Sequence, residues 1–182
     1  MEGFKDFKIY KVSRVGVFGL CDDEENGNGL GDVANLHNEP AYLCEDLERE
    51  ESHWIAKVVN SEEKDVFFAP IDKCDLIPKR NDGNDSKQCD GVFMYDDVIG
   101  FIELKNRGDK ESRKWINKGI EQLKVSIDCF EEFEFVRTYK VKRAYISNKK
   151  KPYVQQSEAM RSERFMDEVG YVLYIRGNVD ID

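Results

Sequence analysis

From residue 42 onward, the chain alternates between short apolar runs and longer amphipathic stretches. Short runs rich in β-branched and aromatic residues are typical of strands, whereas apolar residues every three or four positions are typical of a helix. The pattern predicts, in order, a helix over 42–60, strands over 66–71, 89–95 and 98–105, a helix over 113–130, a strand over 141–147, a helix over 156–168 and a strand over 170–176. This order indicates an α/β fold with a central mixed sheet flanked by helices.

The first predicted helix carries an acidic residue within its apolar stripe. The stripe is formed by Leu43, Leu47, Trp54, Ile55 and Val58. Glu51 lies four residues after Leu47 and four before Ile55, so a helix would turn its carboxylate toward the interior. We therefore expect Glu51 either to reach the rim of the helix or to point at a group that needs a negative charge.

The amino-terminal part of the chain has a different character. Residues 4–20 contain an apolar pattern that predicts a strand or a hairpin, and residues 22–40 are acidic and rich in Gly and Asn, which predicts an exposed loop. We accordingly divide the chain into an amino-terminal strand or hairpin with its acidic loop, over 1–41, and a core over 42–182.

The two strands over 89–95 and 98–105 are joined by only two residues, Asp96 and Asp97, which predicts a tight hairpin. The numbers of facing residues in an antiparallel pair have a constant sum, here 193, so Asp90 is expected to face Glu103. Lys105 follows Glu103 by two residues and shares its face. The hairpin therefore predicts two carboxylates and an amine on one side of an otherwise apolar ribbon.

Such a set of side chains is suited to phosphoryl chemistry. Two carboxylates can hold Mg²⁺, which prefers oxygen ligands and retains several waters, and a neighbouring lysine can stabilise charge that develops on a phosphate. The alternative is that Asp90, Glu103 and Lys105 form an ion-pair network that only stabilises the hairpin. The spacing alone leaves both interpretations open.

The same residues resemble a known family. Asp90 within Cys89-Asp90-Gly91-Val92-Phe93, followed after twelve residues by Glu103 and Lys105 within Phe101-Ile102-Glu103-Leu104-Lys105, is similar to the D…ExK core of the PD-(D/E)xK nuclease superfamily. The resemblance implies a restriction-endonuclease-like fold with an αβββαβ core. The chain departs from the family name because Gln88-Cys89 precede Asp90, so the Pro-Asp pair is absent.

The resemblance also assigns roles to individual residues. It implies that Asp90, Glu103 and the carbonyl of Leu104 bind Mg²⁺, for which Mn²⁺ can substitute, and that Lys105 is the catalytic lysine. It further implies a carboxylate from the first helix, for which Glu51 is the match and Glu48 the reserve, and a glutamine from the following helix, Gln122.

Composition narrows the function classes. The chain has 182 residues, 40% of them hydrophobic, and a net charge of -9, which argues against a general nucleic-acid coat protein. Residues 105–151, however, contain 14 Lys and Arg against 7 Asp and Glu. This stretch is a candidate phosphate-facing surface, and an ordinary solvated basic face explains it equally well. Five cysteines without a CxxC pair and only two histidines do not indicate a zinc site.

These observations lead to one main expectation and two alternatives. The resemblance implies a Mg²⁺-dependent nuclease that hydrolyses phosphodiester bonds, in DNA because most of the superfamily acts there, and by analogy a homodimer. The first alternative is a binding or regulatory module that keeps the nuclease fold without turnover. The second is a structural protein whose acidic amino-terminal third binds a basic partner.

The sequence gives no sign of a membrane association. No apolar run approaches the roughly 18 residues that a membrane span requires, and residues 1–10 carry charges between their aromatic residues rather than the apolar region of a signal peptide. We expect a cytoplasmic protein.

Overall fold

The structure, a computed structural model, describes residues 9–12, 14–22, 41–44, 52–72, 87–108, 112–150 and 157–182. Within these ranges the strands are β1 (Tyr10–Val12), β2 (Val17–Cys21), β3 (Tyr42–Cys44), β4 (Ala56–Val59), β5 (Val66–Pro70), β6 (Gly91–Tyr95), β7 (Val98–Lys105), β8 (Val141–Asn148), β9 (Val172–Arg176) and β10 (Asn178–Asp180). The helices are α1 (Ser112–Phe130), α2 (Glu134–Arg137) and α3 (Ser157–Val169). The protein is thus a mixed α/β fold.

The larger sheet has six strands in the order β1-β5-β6-β7-β8-β9. Strands β1, β5, β6 and β7 pair antiparallel with one another, whereas β7, β8 and β9 pair in parallel. The parallel strands are joined through α1 and α3, as parallel connections require. The order β5, β6, β7, α1, β8, α3, β9 confirms the elements predicted after residue 60.

Helix α1 packs on one face of this sheet through a single apolar stripe. The stripe contains Trp115, Ile116, Leu123, Ile127 and Phe130, all buried at spacings of one, three, four or seven residues. They join sheet residues and α3 in one hydrophobic cluster, in which Phe101 meets the rings of Phe130 and Tyr171 edge to face at 5.4 and 5.8 Å. This face is the one toward which odd-numbered residues of β7 point.

A second, smaller sheet packs on the opposite face. Its order is β10-β4-β2-β3, with β10 parallel to β4 and the other neighbours antiparallel. Phe18 and Leu20 of β2 share a hydrophobic cluster with Phe93, Ile102 and Leu104 of the larger sheet. The central strands β6 and β7 are therefore covered on both sides, which explains why every residue of both is buried.

The helix predicted over 42–60 is wrong, because residues 42–44 and 56–59 are strands of the smaller sheet. The apolar spacing matched a helix by coincidence, and a tertiary contact decides the structure instead. The ring of Trp54 lies so close over β2 that a Cβ on Gly19 would stand 2.2 Å from its Cγ. Glu48 and Glu51, expected on that helix, lie outside the described residues.

The amino-terminal strands are present, but they do not form a hairpin with each other. Strand β1 pairs with β5 in the larger sheet, whereas β2 pairs with β3 and β4 in the smaller one. The division of the chain at residue 41 stays a prediction. Among the described helices, none combines the length and the apolar character that crossing a bilayer requires.

Candidate metal centre

The β6–β7 hairpin sets the geometry of the candidate site. Its pairing runs from Tyr95 opposite Val98 to Gly91 opposite Ile102, which confirms the predicted register. Asp96, the first of the two turn residues, has a φ of 46°, the left-handed conformation that a tight hairpin turn requires. The ordered turn fixes which residues of β7 lie beside the start of β6.

Asp90 lies immediately before β6, where the regular pairing ends. Its N–H donates to the carbonyl of Ile102 at 3.1 Å, and its own carbonyl accepts the N–H of Ile71 at 3.0 Å. Its carboxylate Oδ2 accepts the backbone N–H of Leu104. Asp90 thus leaves the ladder instead of continuing it opposite Glu103, and its side chain is fixed to the backbone of β7.

Glu103 and Lys105 point from β7 to the face covered by α1. The Nζ of Lys105 pairs with Oε1 of Glu103, and both side chains are buried, Glu103 completely. Gly119 of α1 packs against this strand, since a Cβ there would be in ordinary contact with Cγ of Glu103, at 3.5 Å, and in tight contact with Cδ1 of Ile146, at 3.0 Å. Helix α1 therefore forms the wall of the site.

The three predicted residues interact electrostatically. Burial raises the pKa of Asp90 well above its usual range, the negative charge of Glu103 raises it further, and Lys105 lowers it only in part. A divalent cation would neutralise these carboxylates better than a single ammonium group does. The site therefore combines two buried carboxyl groups with a single ammonium group.

Sequence reasoning missed one acidic residue of this region. Asp22 follows β2, is buried, and adds to the repulsion that raises the pKa of Asp90. It was expected in the exposed acidic loop over 22–40, of which the other residues lie outside the described part. The signal in the sequence that could have indicated its burial is its position directly after the apolar run of β2, just as Asp90 stands directly before the apolar run of β6.

The backbone of β7 directs the Leu104 carbonyl toward Asp90. The carbonyl of Lys105 accepts the N–H of Lys149 at 2.9 Å, so odd-numbered residues at this end of β7 bond toward β8. The N–H of Leu104 points away from β8, toward β6, and donates to the Asp90 carboxylate. Because the N–H and C=O of one strand residue point to the same side, the Leu104 carbonyl lies on the side of Asp90.

Gln122 lies on the wall that α1 forms. Its Nε2 donates to the carbonyl of Gln88 at 2.8 Å, and one turn later Oγ of Ser126 accepts the N–H of Cys89 at 2.9 Å. These bonds fasten α1 to the segment that leads into Asp90. Oε1 of Gln122 is buried and accepts no hydrogen bond from the described residues, so it is a polar atom that a ligand or water can satisfy.

These donors fit Mg²⁺ better than a metal that requires many protein ligands. Within the described ranges, no group of three or more His, Cys, Asp or Glu side chains is placed to hold a metal ion. Asp90, Glu103 and the Leu104 carbonyl would supply three oxygen ligands. Mg²⁺ is commonly held by one or two carboxylates while it keeps several waters. Such a donor set would suit a hard, partly hydrated cation.

Comparison with known proteins gave no relative. No protein-family model matches the chain, and the searches of curated proteins and of solved structures found no significant match.

Proposed function

We propose that the protein is a Mg²⁺-dependent nuclease that hydrolyses phosphodiester bonds in DNA. The observation that carries the proposal is the convergence of Asp90, Glu103 and Lys105 at the end of β7, where Asp90 is bonded to the backbone between the other two. One ammonium group cannot neutralise two carboxylates, and a buried carboxylate without a neutralising partner is costly to the fold. A divalent cation bound together with a phosphodiester would supply that neutralisation.

Each residue has a distinct role in this proposal. Asp90, Glu103 and the Leu104 carbonyl would hold Mg²⁺, which when bound polarises a phosphoryl oxygen and acidifies water. The ammonium of Lys105 stabilises the negative charge that accumulates on the phosphate as a water oxygen attacks. Its ion pair with Glu103 keeps that ammonium beside the reacting group. Oε1 of Gln122 can accept a hydrogen bond from a water at the wall of the site.

The order of elements supports a restriction-endonuclease-like core in part. Strands β5, β6 and β7, helix α1 and strand β8 occur in the order of the βββαβ portion of that arrangement, with the short helix α2 between α1 and β8. The leading helix is not supported, since strands of the smaller sheet occupy residues 42–44 and 56–59. The proposal therefore depends on the site more than on the complete fold. A homodimer is proposed only by analogy with small nucleases that act on two strands.

Cleavage assays on the full chain test the proposal. Plasmid, single-stranded and branched DNA would be incubated with Mg²⁺ or Mn²⁺ and with the wild type, Glu103→Gln and Lys105→Ala. We expect cleavage by the wild type and a loss of about 100-fold or more in both variants. Glu132→Gln and Lys140→Ala remove the matching charges at exposed positions outside the site and should cleave normally. Inert wild-type protein, or cleavage that both site variants retain, contradicts the proposal.

A second candidate is a binding module that retains the site without turnover. The observation that favours it is that Lys105 and the carboxylate of Asp90 already have protein partners, Glu103 and the Leu104 N–H. Such a module would take up Mg²⁺ and bind DNA without cleaving it. Metal binding measured in parallel with cleavage on the same preparation separates the two candidates.

A further inference from the structure

A cleft of about 350 Å³ lies between α1 and α3, outside the candidate metal centre. Its floor includes the apolar side chains of Ile120 and Phe165. Its walls carry four basic residues, Arg113, Lys124, Arg161 and Arg164, against two acidic ones, Glu121 and Glu168. The cleft is thus positively charged in a protein whose net charge is -9.

The end of the cleft nearer the carboxyl termini of both helices is neutralised. Nζ of Lys124 lies 2.6 Å from one oxygen of Glu168, and Nε of Arg164 lies 2.7 Å from the other. Hydrogen bonds from Lys124 and Arg164 lower the pKa of Glu168 to about 2, so the carboxylate stays charged. These three side chains satisfy one another and need no ligand.

The end of the cleft nearer the amino termini of both helices is not neutralised in this way. In the part of the chain that the structure describes, neither Arg113 nor Arg161 has an ion-pair or hydrogen-bond partner, and the same holds for the side-chain amide of Asn117. Two guanidinium groups and an amide, all of them hydrogen-bond donors, therefore line one end of the cleft. Guanidinium groups bind phosphate through paired N–H donors, which makes this end complementary to a phosphate.

The topology places these arginines at the edge of the sheet that holds the candidate metal centre. Helix α1 follows the end of β7, and α3 follows the end of β8. Because β7 and β8 are parallel, both helices begin at the edge where Lys105 ends β7. Arg113 lies in the first turn of α1 and Arg161 in the second turn of α3, so the open end of the cleft is at that edge.

We propose that this end of the cleft, formed by Arg113, Asn117 and Arg161, binds backbone phosphates of a DNA strand beyond the reacting phosphodiester. The inference rests on the proposed nuclease function for its ligand but uses none of the metal-site residues. Backbone contacts of this kind hold and position a strand independently of its sequence.

Binding without metal tests the proposal. The affinity of the full chain for a fluorescent single-stranded oligodeoxynucleotide would be measured by anisotropy in EDTA over a series of salt concentrations. Arg113→Gln combined with Arg161→Gln is expected to weaken binding about tenfold and to reduce the slope of log affinity against log salt by about 2. Arg137→Gln combined with Lys140→Gln removes the same charge at exposed positions near the opposite end of β8 and should change neither quantity appreciably.

Each outcome has a defined meaning. Equal affinity and equal salt slope in the two double variants, or no binding by the wild type, overturns the cleft proposal. If the wild type binds DNA through the two arginines but never cleaves it, the cleft proposal is supported and the nuclease proposal is contradicted. If cleavage requires Glu103 but binding is unchanged when both arginines are replaced, the nuclease proposal is supported and the cleft proposal is contradicted.

Discussion

The carboxylate of Asp90 accepts the backbone N–H of Leu104, the residue between Glu103 and Lys105. This bond joins the start of β6 to the point of β7 that carries both other site residues. The position of Asp90 relative to Glu103 is consequently fixed by main-chain geometry rather than by flexible side chains. If these carboxylates bind a cation as proposed, a pair held in this way loses little conformational entropy on binding.

Replacing Asp90 should stabilise the metal-free protein. The pKa of Asp90 is raised by burial and by Glu103, so the folded state binds the proton more tightly than the unfolded state does. Stability therefore falls as pH rises from the ordinary aspartate range toward the folded pKa. In EDTA near neutral pH, Asp90→Asn should be more stable by on the order of 1 kcal/mol, measured by urea unfolding. Mg²⁺ should raise the Tm of the wild type and should leave the Tm of Asp90→Asn unchanged.

The outcome that contradicts this account is a variant less stable than the wild type in EDTA. It would mean that the carboxylate contributes a favourable interaction to the fold itself, as the purely structural ion-pair network requires.

The size of the residue at position 119 should be limited chiefly by the side chain of Ile146, beside Glu103. A Cβ at this position has tight contacts with Ile146 and ordinary contact with Glu103, while alanine favours the helix by about 1 kcal/mol relative to glycine. We expect Gly119→Ala to be nearly neutral in thermal unfolding. Gly119→Val should destabilise by about 1–3 kcal/mol and also reduce cleavage, because its added methyl groups overpack the wall beside Glu103. Unchanged stability and cleavage in the valine variant would show that the wall is not closely packed.

Asp22 should strengthen metal binding without being essential for the fold. Its buried negative charge lies close enough to Asp90 to affect the pKa of that residue, so it also attracts a cation bound there. We expect Asp22→Asn to weaken Mn²⁺ binding by about tenfold, the range seen when outer groups of a metal site are removed. Asp128→Asn, on the exposed side of α1, is the matched control. Equal affinity in the two variants would exclude a role for Asp22.

Glu131 should account for part of the stability at neutral pH. Burial alone would raise its pKa, but hydrogen bonds from Lys142 and from the hydroxyl of Tyr171, both at 2.5 Å, lower it overall. Because the folded pKa lies below the unfolded one, this stabilisation is present above the ordinary glutamate pKa and is lost as pH falls through the folded value.

Urea unfolding across pH measures this contribution. Glu131→Gln should lose about 1 kcal/mol near neutral pH and should converge with the wild type in acid. The exposed neighbour variant Glu132→Gln should follow the wild type throughout. A constant difference between Glu131→Gln and the wild type at every pH would contradict the assigned ionisation.

The β6–β7 hairpin could be predicted because its determinants are local. A two-residue turn fixes the register, which places the start of β6 beside the end of β7 that carries Glu103 and Lys105. The predicted direct pairing of Asp90 with Glu103 is not formed, because the N–H of Asp90 donates to the carbonyl of Ile102 instead. Helix α1 was equally accessible, since its apolar stripe is long and regular. These elements need no knowledge of distant parts of the chain.

The smaller sheet could not be predicted because its determinants are distant in sequence. Strand β4 is held by pairing with β2 and β10, and Trp54 packs over Gly19. The side chain of Asn60 bonds to the carbonyls of Val15 and Lys64 at 3.1 and 2.8 Å, which fixes the chain after β4. The local spacing of apolar residues does not reveal these long-range contacts. The burial of Asp22, which follows β2, likewise depends on the packing of the smaller sheet.

Calorimetric titration of the metal-free protein with Mn²⁺ is the most direct test of the central claim, that Asp90 and Glu103 form a cation site at the end of β7. The account predicts saturable binding to the wild type that is lost in Asp90→Asn and in Glu103→Gln and retained in the exposed control Glu121→Gln. Absence of binding to the wild type, or the same binding in all four proteins, would contradict it.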